Sequence, residues 1–235
     1  MTATPPPSVP STVKLSPSMM CADFLHLQDE LDVLVKEQVD LLHIDIMDGR
    51  YVPNFTLGGG LAAALHTYSG IPLDFHLMID EVDRSVDLFT QQAGSTVTFH
   101  PETSRHPVRT IQRIRDAGCS PGIALDPGLS LDTVKHLLPL VDLVCVMTVN
   151  PGYAGQPLLS FCLNKIGELH RWRQQHGLDL LIEVDGNVSW ENIPPMLRAG
   201  SDVLVLGTSS VFNNTQSRPA AYRQLKELIA TTSHL

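Results

Sequence analysis

From Lys14 onward, short apolar runs alternate eight times with longer amphipathic ones, the count of a single (β/α)8 TIM barrel, an α/β fold. Two further observations favour it. Several short runs are apolar on successive residues, as in LVCVM at 143–147 and DVLVL at 202–206, the pattern of strands covered on both faces. The dipeptide AG also recurs just before a new run, at 93–94, 117–118 and 199–200, as one strand–helix unit used repeatedly would give. An open doubly wound sheet is the alternative, but it usually has fewer strands, and no GxGxxG opening follows the first run.

Taken in order, strands are expected at 14–19, 41–46, 73–79, 96–100, 121–126, 141–149, 179–185 and 202–206. Helices fill the intervals at 23–38, 59–67, 83–93, 106–117, 130–138, 160–176, 190–199 and 218–230. The first helix starts at Asp23, a good N-cap residue, and carries Phe24, Leu27, Leu31 and Leu34 at helical spacing. Gly94, Gly118, Gly177 and Gly200 fall where helices should stop. Residues 1–12, MTATPPPSVPST, have neither the basic region nor the apolar core of an export signal. They read as a disordered Pro-rich tail, leaving 13–235 as one barrel domain.

Bulk properties narrow the function. At 235 residues the chain suits one large domain. Its formal charge of −9, with no Lys/Arg-rich stripe, argues against nucleic acid or an anionic membrane as partner. No segment reaches the roughly 20 apolar residues a bilayer span needs. Cys21, Cys119, Cys145 and Cys162 are widely spaced with no CxxC, which fits free thiols in a reducing, cytoplasmic setting.

Four segments carry chemistry: HIDIMDG at 43–49, DFHLM at 74–78, VNPGYAGQ at 149–156 and EVDGN at 183–187. Each accompanies an expected strand, and strand ends are where barrels collect catalytic groups. His43 and Asp45 are two apart, so both point the same way, inward in a barrel. His76 and Asp185 can converge on them from other strands. Such a nitrogen and carboxylate set suits one divalent metal (Zn, Mn, Fe or Co) without choosing among them. A metal polarises a carbonyl, while two carboxylates can remove a proton from one face of the adjacent carbon and return one to the other. That describes an epimerase better than a hydrolase. Asp48 is a rival acid, but its DG setting reads as a turn. NPGYAGQ, DGN at 185–187 and GTSS at 207–210 follow strands 6, 7 and 8, where barrels frequently bind phosphate. None contains lysine or arginine, so the grip would come from backbone N–H and hydroxyl groups.

From about Leu15 to Phe212, through LSPSMMCADF, HIDIMDGRYVPNFTLG, PLDFHLM, VMTVNPGYAGQ, IEVDG and LGTSSVF, the chain resembles the ribulose-phosphate 3-epimerase family. The resemblance implies a ribulose-phosphate-binding type of barrel whose single divalent metal is bound by the equivalents of His43, Asp45, His76 and Asp185. It implies Asp45 and Asp185 as proton acceptor and donor, and Ser18 and His76 in contact with a phosphorylated ketose. It further implies phosphate held by Gly152, Tyr153, Ala154 and Gly155, by Gly186 and Asn187, and by Gly207, Thr208 and Ser209. Met47, Met78 and Met147 match family methionines forming an apolar floor, although the sequence alone reads each as core filling. A homo-oligomer is also implied. The loops depart from the family's usual GFGGQ, DGG and GSA, reading GYAGQ, DGN and GTS. Together with HPET at 100–103, they look closer to the D-allulose-6-phosphate 3-epimerase branch, with D-ribulose 5-phosphate as the alternative substrate. Two rivals are a phosphosugar decarboxylase or aldolase, and a non-enzymatic phosphosugar-binding barrel. The former needs a lysine at the site, and only Lys14, of five lysines, lies in an expected strand, at its start.

Overall fold

The computed structural model describes residues 13–232. The expected tail at 1–12 lies outside them. Eight parallel strands follow one another around a barrel: β1 (Lys14–Pro17), β2 (Leu42–Met47), β3 (Leu73–Met78), β4 (Thr96–Phe99), β5 (Ser120–Leu125), β6 (Leu143–Met147), β7 (Leu181–Asp185) and β8 (Val203–Leu206). Ladders join β2 through β8 in sequence, and β8 pairs with β1. Between β1 and β2 the ring is drawn together by one parallel bridge, Ser18 to His43, and by the N–H groups of Asp40 and Leu41 on the Leu15 carbonyl.

The doubly apolar strands divide their side chains between two cores. Along β6, Val144 and Val146 join the large outer core beneath the helices. Leu143, Cys145 and Met147 point the other way, into a small inner cluster with Ala124 and Val203. The rest of the interior is unusually polar: Ser16, His43, Asp45, Asp74, His76, Thr98, His100 and Glu183 are all buried. Buried polar groups persist only where they are partnered or functional.

Among the described residues six α-helices lie outside: α1 (Leu27–Lys36), α2 (Gly59–Ser69), α3 (Pro107–Asp116), α4 (Phe161–His176), α5 (Ile193–Ala199) and α6 (Arg218–Thr232). The helices expected at 83–93 and 130–138 are instead pairs of 3-10 turns, at Val82–Arg84 and Val86–Leu88, and at Leu131–Thr133 and Leu138–Leu140. In the first, Ser85 leaves helical geometry at φ −125°, and the Asp83 carbonyl is taken by Arg113. In the second, Pro139 cannot donate and would clash with the preceding turn. Asp23 does not cap α1. It builds the turn ahead of it, accepting from the Leu25 N–H, and Phe24 stays exposed. Three of the glycine stops hold, Gly118, Gly177 and Gly200 ending α3, α4 and α5 with positive φ; Gly94 also has positive φ but follows no α-helix, since the one expected at 83–93 is absent. Among the described residues no helix is long and apolar enough to cross a membrane, and all four cysteines are free.

Candidate active site

Register brings the sequence motifs to one end of the barrel. Asp45 on β2 sits level with His76 on β3, and Met147 on β6 with Asp185 on β7. Asp45 Oδ1 lies 3.3 Å from both His43 Nε2 and His76 Nδ1. Asp185 Oδ2 lies 3.5 Å from His76 Nδ1 and 4.0 Å from His43 Nε2. Those two nitrogens are buried and have no hydrogen-bond partner, so four donors face one point. Ligands about 2.0–2.1 Å from a tetrahedral ion are themselves roughly 3.3 Å apart, so the spacing fits a small divalent metal.

The surroundings orient each donor. His43 turns its other nitrogen, Nδ1, to Asp74 Oδ2 at 2.8 Å, and Asp74 also accepts from the Ser16 hydroxyl. Ser18 donates to Asp45 Oδ2 at 2.7 Å. Burial opposes charge on Asp45, but the facing imidazoles of His43 and His76 outweigh it and hold the carboxyl well below the usual range. Burial likewise opposes protonation of His43, yet Asp45 and Asp74 raise its pKa well above normal. In such a cluster a bound cation would replace protons.

Above this point opens a cleft of about 570 Å³. Ser18, Asp45 and Asp185 line it, as do Met47, Met78 and Met147, residues 152–155, Gly186, Asn187 and residues 207–209. His43 and His76 lie behind that wall, fully buried. Met47 and Met78 pack together with Val52, while Met147 belongs to the inner core and shows one face to the cleft. No lysine or arginine lines it. Lys165, which the sequence reading did not single out, is buried, but it donates to the carbonyls of Asp126 and Pro127 away from the cleft.

Two of the three small-residue loops, those after β6 and β7, are shaped by left-handed backbone. Gly186 at φ +107° could not carry a Cβ, which would meet Val149 at 2.6 Å. Asn187 follows at φ +46°, a region that asparagine tolerates better than most side chains. Its side chain turns to structure: Nδ2 donates to the Gln156 carbonyl at 2.5 Å, and Oδ1 accepts from Asn192 at 2.8 Å. Asn187 therefore ties the loop after β6 to the loop after β7. That first loop is also fastened to the loop after β2, by Asn54 donating to the Gly152 carbonyl and Tyr153 to the Pro53 carbonyl. Asp48 is a turn residue, its carboxylate accepting from the N–H groups of Arg50, Tyr51 and Asp80.

The family model for the ribulose-phosphate 3 epimerase family matches residues 14–212. The chain belongs to that family. It is 39% identical over 209 residues to the ribulose-phosphate 3-epimerase of Bacillus subtilis (strain 168), covering 88% of this chain and 96% of the relative. It is 36% identical over 222 residues to that of Escherichia coli (strain K12), covering 94% and 97%. Among solved structures it is similar to KGPDC from Streptococcus mutans in complex with D-R5P, at TM-score 0.67 and 15% identity, covering 94% of this chain and 98% of that one; this likeness speaks for the barrel alone. The family makes this chain a ketose-phosphate 3-epimerase, an isomerase. These relatives carry the ribulose-phosphate name, and nothing in them supports the allulose branch that the loop text favours.

Sequence reasoning missed the residues behind the donors: Ser16, Asp74 and His100, which contact them or their partners, and Glu183, buried beside His43 and Asp74. Asp74 and Glu183 sit inside the quoted motifs, two residues before His76 and Asp185, on the same inward face. That spacing was the signal available.

Proposed function

We propose that the protein interconverts D-ribulose 5-phosphate and D-xylulose 5-phosphate by inverting C3, with one divalent metal held by His43, Asp45, His76 and Asp185. The observation that carries the reading is the pair of unpartnered buried imidazole nitrogens facing two carboxylates. A metal held there would polarise the ketose carbonyl and stabilise the negative charge that develops on its oxygen. Asp45, kept ionised by its imidazole neighbours, takes the C3 proton. Asp185, on a strand three positions away around the barrel, returns a proton to the other face. Ser18 holds Asp45 Oδ2, leaving Oδ1 toward the donor cluster. The loops 152–155, 186–187 and 207–209 hold the phosphate through N–H and hydroxyl groups, since the cleft offers no cationic side chain.

The test is kcat/KM for D-ribulose 5-phosphate and D-allulose 6-phosphate, side by side on metal-loaded protein. A preference of about a hundredfold for the pentulose, roughly 2.7 kcal/mol of transition-state discrimination, is expected. The reverse preference would restore the hexulose reading, which the loop sequences GYAGQ and GTS favour.

A further inference from the structure

His100 follows β4, is fully buried and does not line the cleft. Its Nε2 lies 3.0 Å from Nε2 of His76, the ring nitrogen that faces away from the four-donor point. On its other side, His100 Nδ1 lies 3.5 Å from Oε1 of Glu102. The same Glu102 oxygen accepts the Tyr51 hydroxyl at 2.8 Å, and the Tyr51 ring rests against His100 at 4.8 Å between centroids. A line of side chains, His76 to His100 to Glu102 to Tyr51, thus runs from behind the cleft wall to the exposed Glu102 and the half-buried Tyr51, the step from His100 Nδ1 to Glu102 being a charge contact without a hydrogen bond.

Two imidazole nitrogens 3.0 Å apart are bonded only if one bears the proton and the other a lone pair. A cation at the four-donor point takes the Nδ1 lone pair of His76 and leaves its proton on Nε2. That N–H then donates to His100 Nε2, so the His100 proton sits on Nδ1, toward Glu102.

We propose that His100, oriented by Glu102 and covered by Tyr51, is a positioning residue that fixes His76 as an Nδ1 ligand and thereby sets the affinity of the site for divalent metal. This rests on the metal reading above. Partners of this kind typically govern affinity by ten- to a hundredfold.

The test is titration of metal-free protein with Co²⁺, without substrate, followed by the visible absorption of the bound ion. His100→Phe keeps a ring but no acceptor, whereas His100→Gln keeps an oxygen that can accept. His100→Phe is expected to weaken Co²⁺ binding about ten- to a hundredfold and to change the absorption band, with His100→Gln restoring most of the affinity. Co²⁺ affinity of His100→Phe equal to that of the unaltered protein overturns the proposal, and so does an equal loss in both variants. Should His100→Phe fail to fold, Glu102→Gln at the rim decides alone. Binding weakened by at least about threefold supports the proposal, and unchanged binding overturns it. If the unaltered protein takes up no Co²⁺, the metal reading itself falls, a result distinct from the others.

Discussion

At the residue scale, Asp45 and Asp185 show how two carboxylates acquire different surroundings. Asp45 is buried, held by Ser18 and flanked by both histidines. Asp185 is more open to the cleft, at 17% side-chain exposure. If the two work as opposed acid and base, Asp185→Asn should lose on the order of 10² to 10⁴ in kcat while retaining much of its substrate affinity; near-normal turnover would sink the scheme. Asn187 works differently, through the backbone. Asn187→Gly keeps the left-handed turn but unties Gln156 and Asn192. With about 1 kcal/mol of hydrogen bonding lost, KM should rise roughly fivefold with kcat nearly unchanged, measured by initial rates. Cys21 lines the cleft, and burial, reinforced by Asp45, pushes its thiol up to about 11. At pH 8 roughly one thiol in a thousand is ionised in metal-free protein, so alkylation should be slow and gain about tenfold per pH unit until near 11. Mass spectrometry after timed iodoacetamide treatment checks this.

At the element scale, the alternation of β6 between an inner and an outer core explains why its sequence is apolar throughout. The same alternation on β2 places Leu42, Ile44 and Ile46 outward and His43 and Asp45 inward, so one strand serves packing and chemistry at once. The missing helices have the opposite lesson. Val82, Val86 and Phe89 keep a helical spacing and are buried, yet two 3-10 turns achieve that burial, with Arg113 of α3 taking the Asp83 carbonyl. Gly200, at φ +106°, ends α5 where a Cβ would meet the His170 ring at 2.4 Å. Gly200→Ala should therefore cost more than about 1 kcal/mol, read as a lower urea midpoint at unchanged slope.

At the scale of the whole molecule, barrel closure and site assembly are one event. The bridge that joins β1 to β2 pairs Ser18 with His43, so the ring closes on two members of the site. The donors come from β2, β3 and β7: Asp45 and His76 meet as β2 pairs with β3, whereas Asp185 reaches them only when the ring forms. A metal that binds the folded state alone stabilises it by about 2.7 kcal/mol at a hundred times its Kd. For a domain of this size that shifts Tm by roughly 5–10 °C. Differential scanning calorimetry with and without chelator should show the shift, and identical melting would argue against a metal in this cluster.

Local patterning determined the eight-fold alternation, three of the glycine stops and the inward pairing of His43 with Asp45, because these depend on periodicities of two and 3.6 that neighbouring residues express together. Family text added the roles expected of Asp185 and the three loops. The tertiary structure alone decided the rest. It put Asp74 behind His43 and His100 behind His76, joining residues 31 and 24 positions apart. It also turned the Asn187 side chain toward Gln156, a contact across 31 positions. Such contacts depend on the register between strands, and register is fixed only when the whole barrel packs, since a shift of one residue would turn every inward side chain outward.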